Sequence, residues 1–203
     1  MTSDVAARDG RVPTRRAAGY DVAVTVLLFL AAATGWSDML LLVSGSVVPG
    51  WALCVVLFCA AGLLAGVRAV RFGPDAPRRS RPMGLVRGVA FTAAALSCAV
   101  GALDELGAEY HVLHPTGPGG CTAVVRETSF LVLGSGDVYA VGPSRIGWRP
   151  SGSWIADDGH RPVAAGMYEL HWSERGGHGT LSVHGTATDP IVSGGLASVD
   201  CGI

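Results

Sequence analysis

Lysine is absent from this 203-residue sequence, and all fifteen basic residues are arginine, the pattern a GC-rich coding sequence gives. Charge of either sign is scarce: 15% of residues are charged and 49% apolar, where soluble domains average roughly a quarter charged. Such a composition excludes a disordered chain. A basic excess is also missing, since the formal net charge is −1, and without it a nucleic-acid partner has no electrostatic footprint. Catalytic signatures are lacking too. There is no G-x-S-x-G elbow, no H-E-x-x-H pair and no phosphate-cradling glycine loop, so the sequence is not read as an enzyme. Glycine, by contrast, is abundant at 29 residues, about twice the usual ~7%.

The apolar residues concentrate in three runs, 22–43, 49–70 and 84–103. As helices of about 30 Å each matches the hydrocarbon thickness of a bilayer. Three such runs within one hundred positions predict three transmembrane spans rather than buried helices of a soluble protein. Pro49 would stand in the first turn of the second span, and Trp51 at an aromatic-belt position.

Arginine sets the orientation. Arg8, Arg11, Arg15 and Arg16 precede the first run, and Arg68, Arg71, Arg78, Arg79, Arg81 and Arg87 surround the second connection. The positive-inside rule places both segments in the cytoplasm. The uncharged connection Ser44 to Val48 then reads as a tight outer turn between antiparallel helices, and the acids Asp104, Glu105 and Glu109 follow the third span on the outer side. The expected product is a multi-pass plasma-membrane protein with a cytoplasmic tail (1–21), a three-helix region (22–103), a linker (104–120) and an extracytoplasmic domain (121–203). Arg15-Arg16 followed by Ala31-Ala32-Ala33 also suggests a cleavable secretory signal, but apolarity continues well past that site.

Inside the spans, ionisable residues are functional candidates. Asp38 and Arg87 are singled out, about 20 Å apart in depth at 1.5 Å per residue, too far to pair. Arg87 is expected to snorkel to the inner headgroups and Asp38 to mark the outer boundary beside Trp36, which leaves a proton relay or coupled transporter little to work with. Small residues recur every fourth position, as in Gly62 with Gly66, Gly84 with Gly88, and Ala93, Ser97, Gly101, a spacing that lets helices pack closely.

Cys54, Cys59 and Cys98 fall within spans and read as apolar filler. Cys121 and Cys201 stand alone near the two ends of the external region, where disulfides form, and are expected to pair. Between them the sequence reads as a small, mostly antiparallel β domain. Thr122 to Val125, Phe130 to Leu133 and Val138 to Val141 are strand candidates separated by Gly-Ser-Gly-Asp and Gly-Pro-Ser turns. Tyr168, Leu170 and Trp172 alternate with Glu169, His171 and Ser173, and after the turn Arg175 to Gly179, Leu181 and Val183 alternate with Ser182 and His184. This predicts a hairpin with Glu169, His171, Ser182 and His184 on its outer face. Pro115 to Gly120 reads as the linker, and Asp157-Asp158-Gly159 as a hairpin turn rather than a calcium loop. Trp148 and Trp154 lie near turns.

All six histidines lie in the external half. His111 and His114, and the set Glu169, His171 and His184, could ligate zinc or copper, although neither set has a compact four-ligand spacing and no cofactor is required. The stretch Ser153 to Leu170 (SWIADDGHRPVAAGMYEL) resembles segments of uncharacterised small, streptomycete-like integral membrane proteins of actinobacteria, which implies a location in the cell envelope and no site residues. The sequence thus points to a bilayer-anchored protein presenting a binding domain to an envelope protein or ligand, with extracytoplasmic metal binding as the alternative. It does not specify the oligomeric state.

Overall fold

The computed structural model describes residues 11–72, 81–173 and 177–202. Arg8 of the basic tail, Arg78 and Arg79 of the second connection, and Arg175 and Gly176 of the glycine-rich turn lie outside the described residues. The chain forms two compact units, one of residues 1–36 with 51–101, the other of residues 37–50 with 102–203.

The first unit consists of three helices, α1 (Arg11–Gly35), α2 (Gly50–Phe72) and α3 (Arg81–Asp104). Each contains a segment long and apolar enough to cross a membrane: Ala17–Gly35, Gly50–Phe72 and Met83–Asp104. The second and third runs are therefore helices nearly as expected. The first is corrected, because α1 stops at Gly35 and Leu40–Val43 is a strand. Nineteen residues from Ala17 already rise about 28 Å. The helices meet over small side chains, with Ala31, Cys54, Ala61, Ala90 and Ala94 buried beside Val24 and Leu28. Gly35 faces the Ser97 and Cys54 side chains, and Gly101 the Trp51 side chain. Gly62, Gly66, Gly84 and Gly88 meet no neighbour within 4 Å, so those two pairs do not mediate packing in this unit.

The second unit is built from strands. β1 (Leu40–Val43) and β2 (Ser46–Pro49) form a hairpin around Ser44 and Gly45, both with positive φ (51° and 85°), as a type I′ turn requires. The segment read as a helix-to-helix turn is thus a strand-to-strand turn, and Pro49 ends β2 rather than opening the helix. β3 (Ala108–Val112), β4 (Thr122–Phe130), β5 (Leu133–Val141), β6 (Ile146–Gly147), β7 (Pro150–Asp157), β8 (Tyr168–Trp172), β9 (His178–Val183), β10 (Ile191–Gly194) and β11 (Leu196–Asp200) follow. All pairings are antiparallel: a five-stranded sheet ordered β10-β7-β5-β4-β3, a three-stranded sheet β11-β9-β8, and a small sheet β2-β1-β6. Because β3 already belongs to the large sheet, the domain begins before the expected boundary at 121. Pro115 to Gly120 is an internal connection rather than a linker, with the Trp172 Nε1 hydrogen donated to the Pro115 carbonyl at 2.8 Å.

Two sheets enclose the main core of Ala123, Val125, Val138, Trp154, Leu181, Val183, Ala197 and Val199. The β8 and β9 alternation is as expected, with Leu181 and Val183 buried and Tyr168, Leu170 and Trp172 packed against the same core. The Gly-Ser-Gly-Asp cluster, however, is not a turn. It lies inside β5, where a side chain at Gly136 would collide with the Trp154 indole; glycine serves there as the floor for a buried ring. The opposite face of the large sheet carries a second core, in which Leu40 and Leu42 of β1 pack with Val124, Tyr139 and Val141. Trp154 is buried and Trp148 exposed.

Candidate functional site

In the helical unit the buried ionisable residue that the sequence reading missed is Asp21, assigned there to the tail. It lies one turn into the apolar part of α1 and is buried. Arg87 Nη1 donates a hydrogen bond to Asp21 Oδ1 at 3.1 Å, and Arg68 Nε lies 3.1 Å from the same oxygen. One carboxylate thus gathers a cation from each of the other two helices. Arg87 is accordingly an ion-pair partner rather than a free snorkelling residue. A signal existed in the sequence: Asp21, Arg68 and Arg87 each fall about one turn from the same predicted inner end.

Asp38, expected inside a span, belongs to the β unit, between the end of α1 and β1. It lines a polar groove with Asp137, Arg149, Ser151 and Ser153. Next to this groove Arg126 on β4 lies 2.6 Å from Asp104 Oδ2 and 3.6 Å from both Glu105 Oε2 and Asp137 Oδ2. Burial works against the Arg126 charge, but Asp104, Tyr110 and Glu105 outweigh it and hold the guanidinium above its ordinary value. Burial pushes the Asp137 carboxyl up, only partly opposed by Arg126. A carboxyl raised on folding binds its proton more tightly in the native state, so its burial penalty is absent at low pH and develops as pH rises above the ordinary aspartate value, about 3.9. Asp137→Asn is therefore expected to raise stability at pH 7 relative to the parent and to leave it nearly unchanged at pH 3, in unfolding titrations at both values. A loss of stability at pH 7 would show instead that the Arg126 contact dominates.

Glu127 is fully buried on the other face of β4. Its carboxylate accepts hydrogen bonds from the backbone amides of Val163 (2.9 Å) and Ala164 (2.8 Å), which fixes the loop after β7. His111 Nε2 lies 3.4 Å from Glu127 Oε2, so this histidine belongs to the Glu127 site and not to a pair with the exposed His114.

Glu169, His171 and His184 do share the exposed outer face of the β8 and β9 pair. Glu169 Oε2 is 3.5 Å from His171 Nε2. The register, however, sets His171 opposite Thr180, and the His184 amide bonds the Met167 carbonyl. The two imidazoles are thus four residues apart along the ladder, about 13 Å at strand rise. Among the described residues no three His, Cys, Asp or Glu side chains come together to hold a metal ion. Cys121 and Cys201 are brought to disulfide distance, with Cα atoms 5.9 Å apart.

The largest difference from the sequence reading lies at Phe130 to Leu133, expected as a strand. β4 ends at Phe130 and β5 begins at Leu133, directly paired with each other, so Leu131 and Val132 form a two-residue turn. All four side chains are exposed, at 70%, 83%, 62% and 59%. Leu131 has φ 55°, a position where hairpins of this kind ordinarily place glycine. Asp157-Asp158-Gly159 is a turn as read, with positive φ at Asp158 and Gly159.

No protein-family model matches the chain, and no curated protein and no solved structure is significantly similar to it.

Proposed function

We propose that this is a multi-pass plasma-membrane protein with a cytoplasmic N-terminal segment, whose β unit stands outside the membrane as a binding module of the cell envelope. The observation that carries this reading is the pairing of Leu40 with Gly147 and of Leu41 with Ile146. It ties the connection between the first two helices to the domain that follows the third. Two stretches of one folded unit must share one side of a bilayer, and three crossings allow that only if both are on the far side from the N-terminus. The pairing bears only on the two sides relative to each other; the arginine distribution puts the N-terminus inside and the β unit outside, and a disulfide between Cys121 and Cys201 suits an oxidising compartment. The binding role is supported by the exposed polar face of Glu169, His171 and Thr180 and by the groove beside Asp38. The separation of His171 from His184 weighs against zinc or copper as the ligand of that face.

A membrane-impermeant maleimide applied to intact cells tests the topology. A cysteine introduced by Thr180→Cys is expected to react without permeabilisation, and one introduced by Ala69→Cys, near the inner end of α2, only after it. The reverse pattern would overturn the arrangement.

A further inference from the structure

We propose that the Phe130–Leu133 hairpin tip inserts into the outer leaflet of the same bilayer that the helices cross, so that the β unit is held to the lipid surface by a second, non-helical contact. The inference rests on the reading of α1 to α3 as spans. Three features of the β unit lead to lipid rather than to a protein partner.

The first is position along the chain. α3 ends at Asp104; by Gly107 the chain lies against the Ser129 carbonyl, and Ala108 pairs with Thr128. Three residues reach at most about 10 Å, so the last residue of the third span and the tip of β4 are close neighbours. Leu103 in the last turn of α3 and Leu106 in that short connection are themselves exposed.

The second is the direction of the side chains. Strand residues two apart share a face, so Phe130 and Leu133 lie on the face that also carries Thr128 with Ser135, joined at 2.7 Å, and Arg126 with Asp137. This is the face that Asp104 and Glu105, from the end of the span, attach to through Arg126.

The third is chemistry. No side chain from Phe130 to Leu133 can donate or accept a hydrogen bond, so the tip offers apolar surface alone. A patch of this kind partitions into the headgroup and acyl boundary. Beside it Leu133 is paired with Asp157, and Asp158 follows. Arg161, the cation that reaches Gly107 on this side, is paired with Glu109, so with these carboxylates beside the tip insertion is driven by apolar burial and depends little on salt. The Thr128 and Ser135 hydroxyls, one step back along the ladder, fall at headgroup level.

The test uses the full-length chain with the Cys121–Cys201 bridge intact. Cys54→Ala, Cys59→Ala and Cys98→Ala remove the other thiols, and a polarity-sensitive fluorophore is attached at Val132→Cys. The protein is reconstituted in phosphatidylcholine vesicles with or without nitroxide-labelled lipid. Parallel samples carry the probe at Leu63→Cys, on the exposed face of α2, and at Thr180→Cys, on the outer face of the other sheet. The tip probe is expected to emit blue-shifted light, to lose roughly half its intensity to nitroxides placed about 5–10 Å into the leaflet, and to be quenched by iodide several-fold less than the probe at position 180. Added salt should change little of this.

Iodide quenching of the tip equal to that at position 180, with position 63 quenched by lipid, would overturn the insertion while leaving the spans in place. Lack of lipid quenching at position 63 would overturn both. A tip shielded from iodide but not quenched by lipid would mean that a second copy covers it, which also defeats the proposal. If the thiol-free background does not fold, Leu131→Trp and Thr180→Trp in the native background, each read as the difference from the parent with its five tryptophans, give the same comparison with brominated lipid.

Discussion

Replacing Asp21 with alanine is expected to destabilise the helical unit by about 3 kcal/mol, a large part of the margin of a small folded unit. The substitution leaves Arg68 and Arg87 facing each other without the carboxylate that both of them reach. Breaking a buried pair costs about 3–5 kcal/mol, and the lower end applies because the two arginines retain some access to water. Arg68→Met or Arg87→Met alone should cost less than half as much, because each leaves the other arginine on the Asp21 carboxylate. Unfolding titrations of the purified protein in micelles measure all three variants. An Asp21→Ala midpoint within experimental error of the parent would mean that helix packing over Ala31, Cys54 and Ala94 suffices without the ion cluster.

The second large effect is expected from the cysteines. Cys121 and Cys201 are 80 residues apart in sequence, and closing a loop of that length restricts the unfolded chain by about 4 kcal/mol in the chain-entropy model. Cys121 is also part of the main core, with Cys201 packed against it, so Cys121→Ala with Cys201→Ala removes contacts as well as the cross-link. The double variant should unfold in denaturant well before the parent, followed through tryptophan fluorescence, to which the buried Trp154 contributes, and reductant should move the parent toward the variant. Coincident curves with and without reductant would show that the bridge is not formed.

What the sequence made legible was whatever repeats with a period or stands apart in composition. The second and third helices, the alternation of Tyr168 to Trp172 with Leu181 and Val183, and the isolated cysteine pair all belong here. The errors have a common physical origin in segments whose neighbours, not their own residues, decide the structure. Leu40 to Val43 is as apolar as a span, but it pairs with β2 and β6 and buries Leu40 and Leu42 against Val124 and Tyr139, some eighty residues on or more, as a strand. Gly134 to Asp137 has turn composition, but the Trp154 ring needs glycine beneath it. Phe130 to Leu133 has strand composition, yet the full register of β4 with β5 leaves it at the tip. Asp21 closed an apolar run in one dimension and entered a buried cluster in three.

The hairpin of β1 and β2 imposes an order of events during biosynthesis. Leu40 and Leu42 emerge from the ribosome long before Val124, Tyr139 and Val141, against which they pack. At synthesis rates of about 5–20 residues per second the interval is roughly 4–20 s. Through that interval the newly made hairpin holds leucines without a core and an edge without its β6 partner. A hairpin forms within about 1–10 μs but is at best marginally stable alone, so β1 and β2 are held in place only once the later strands supply their core and their β6 edge partner.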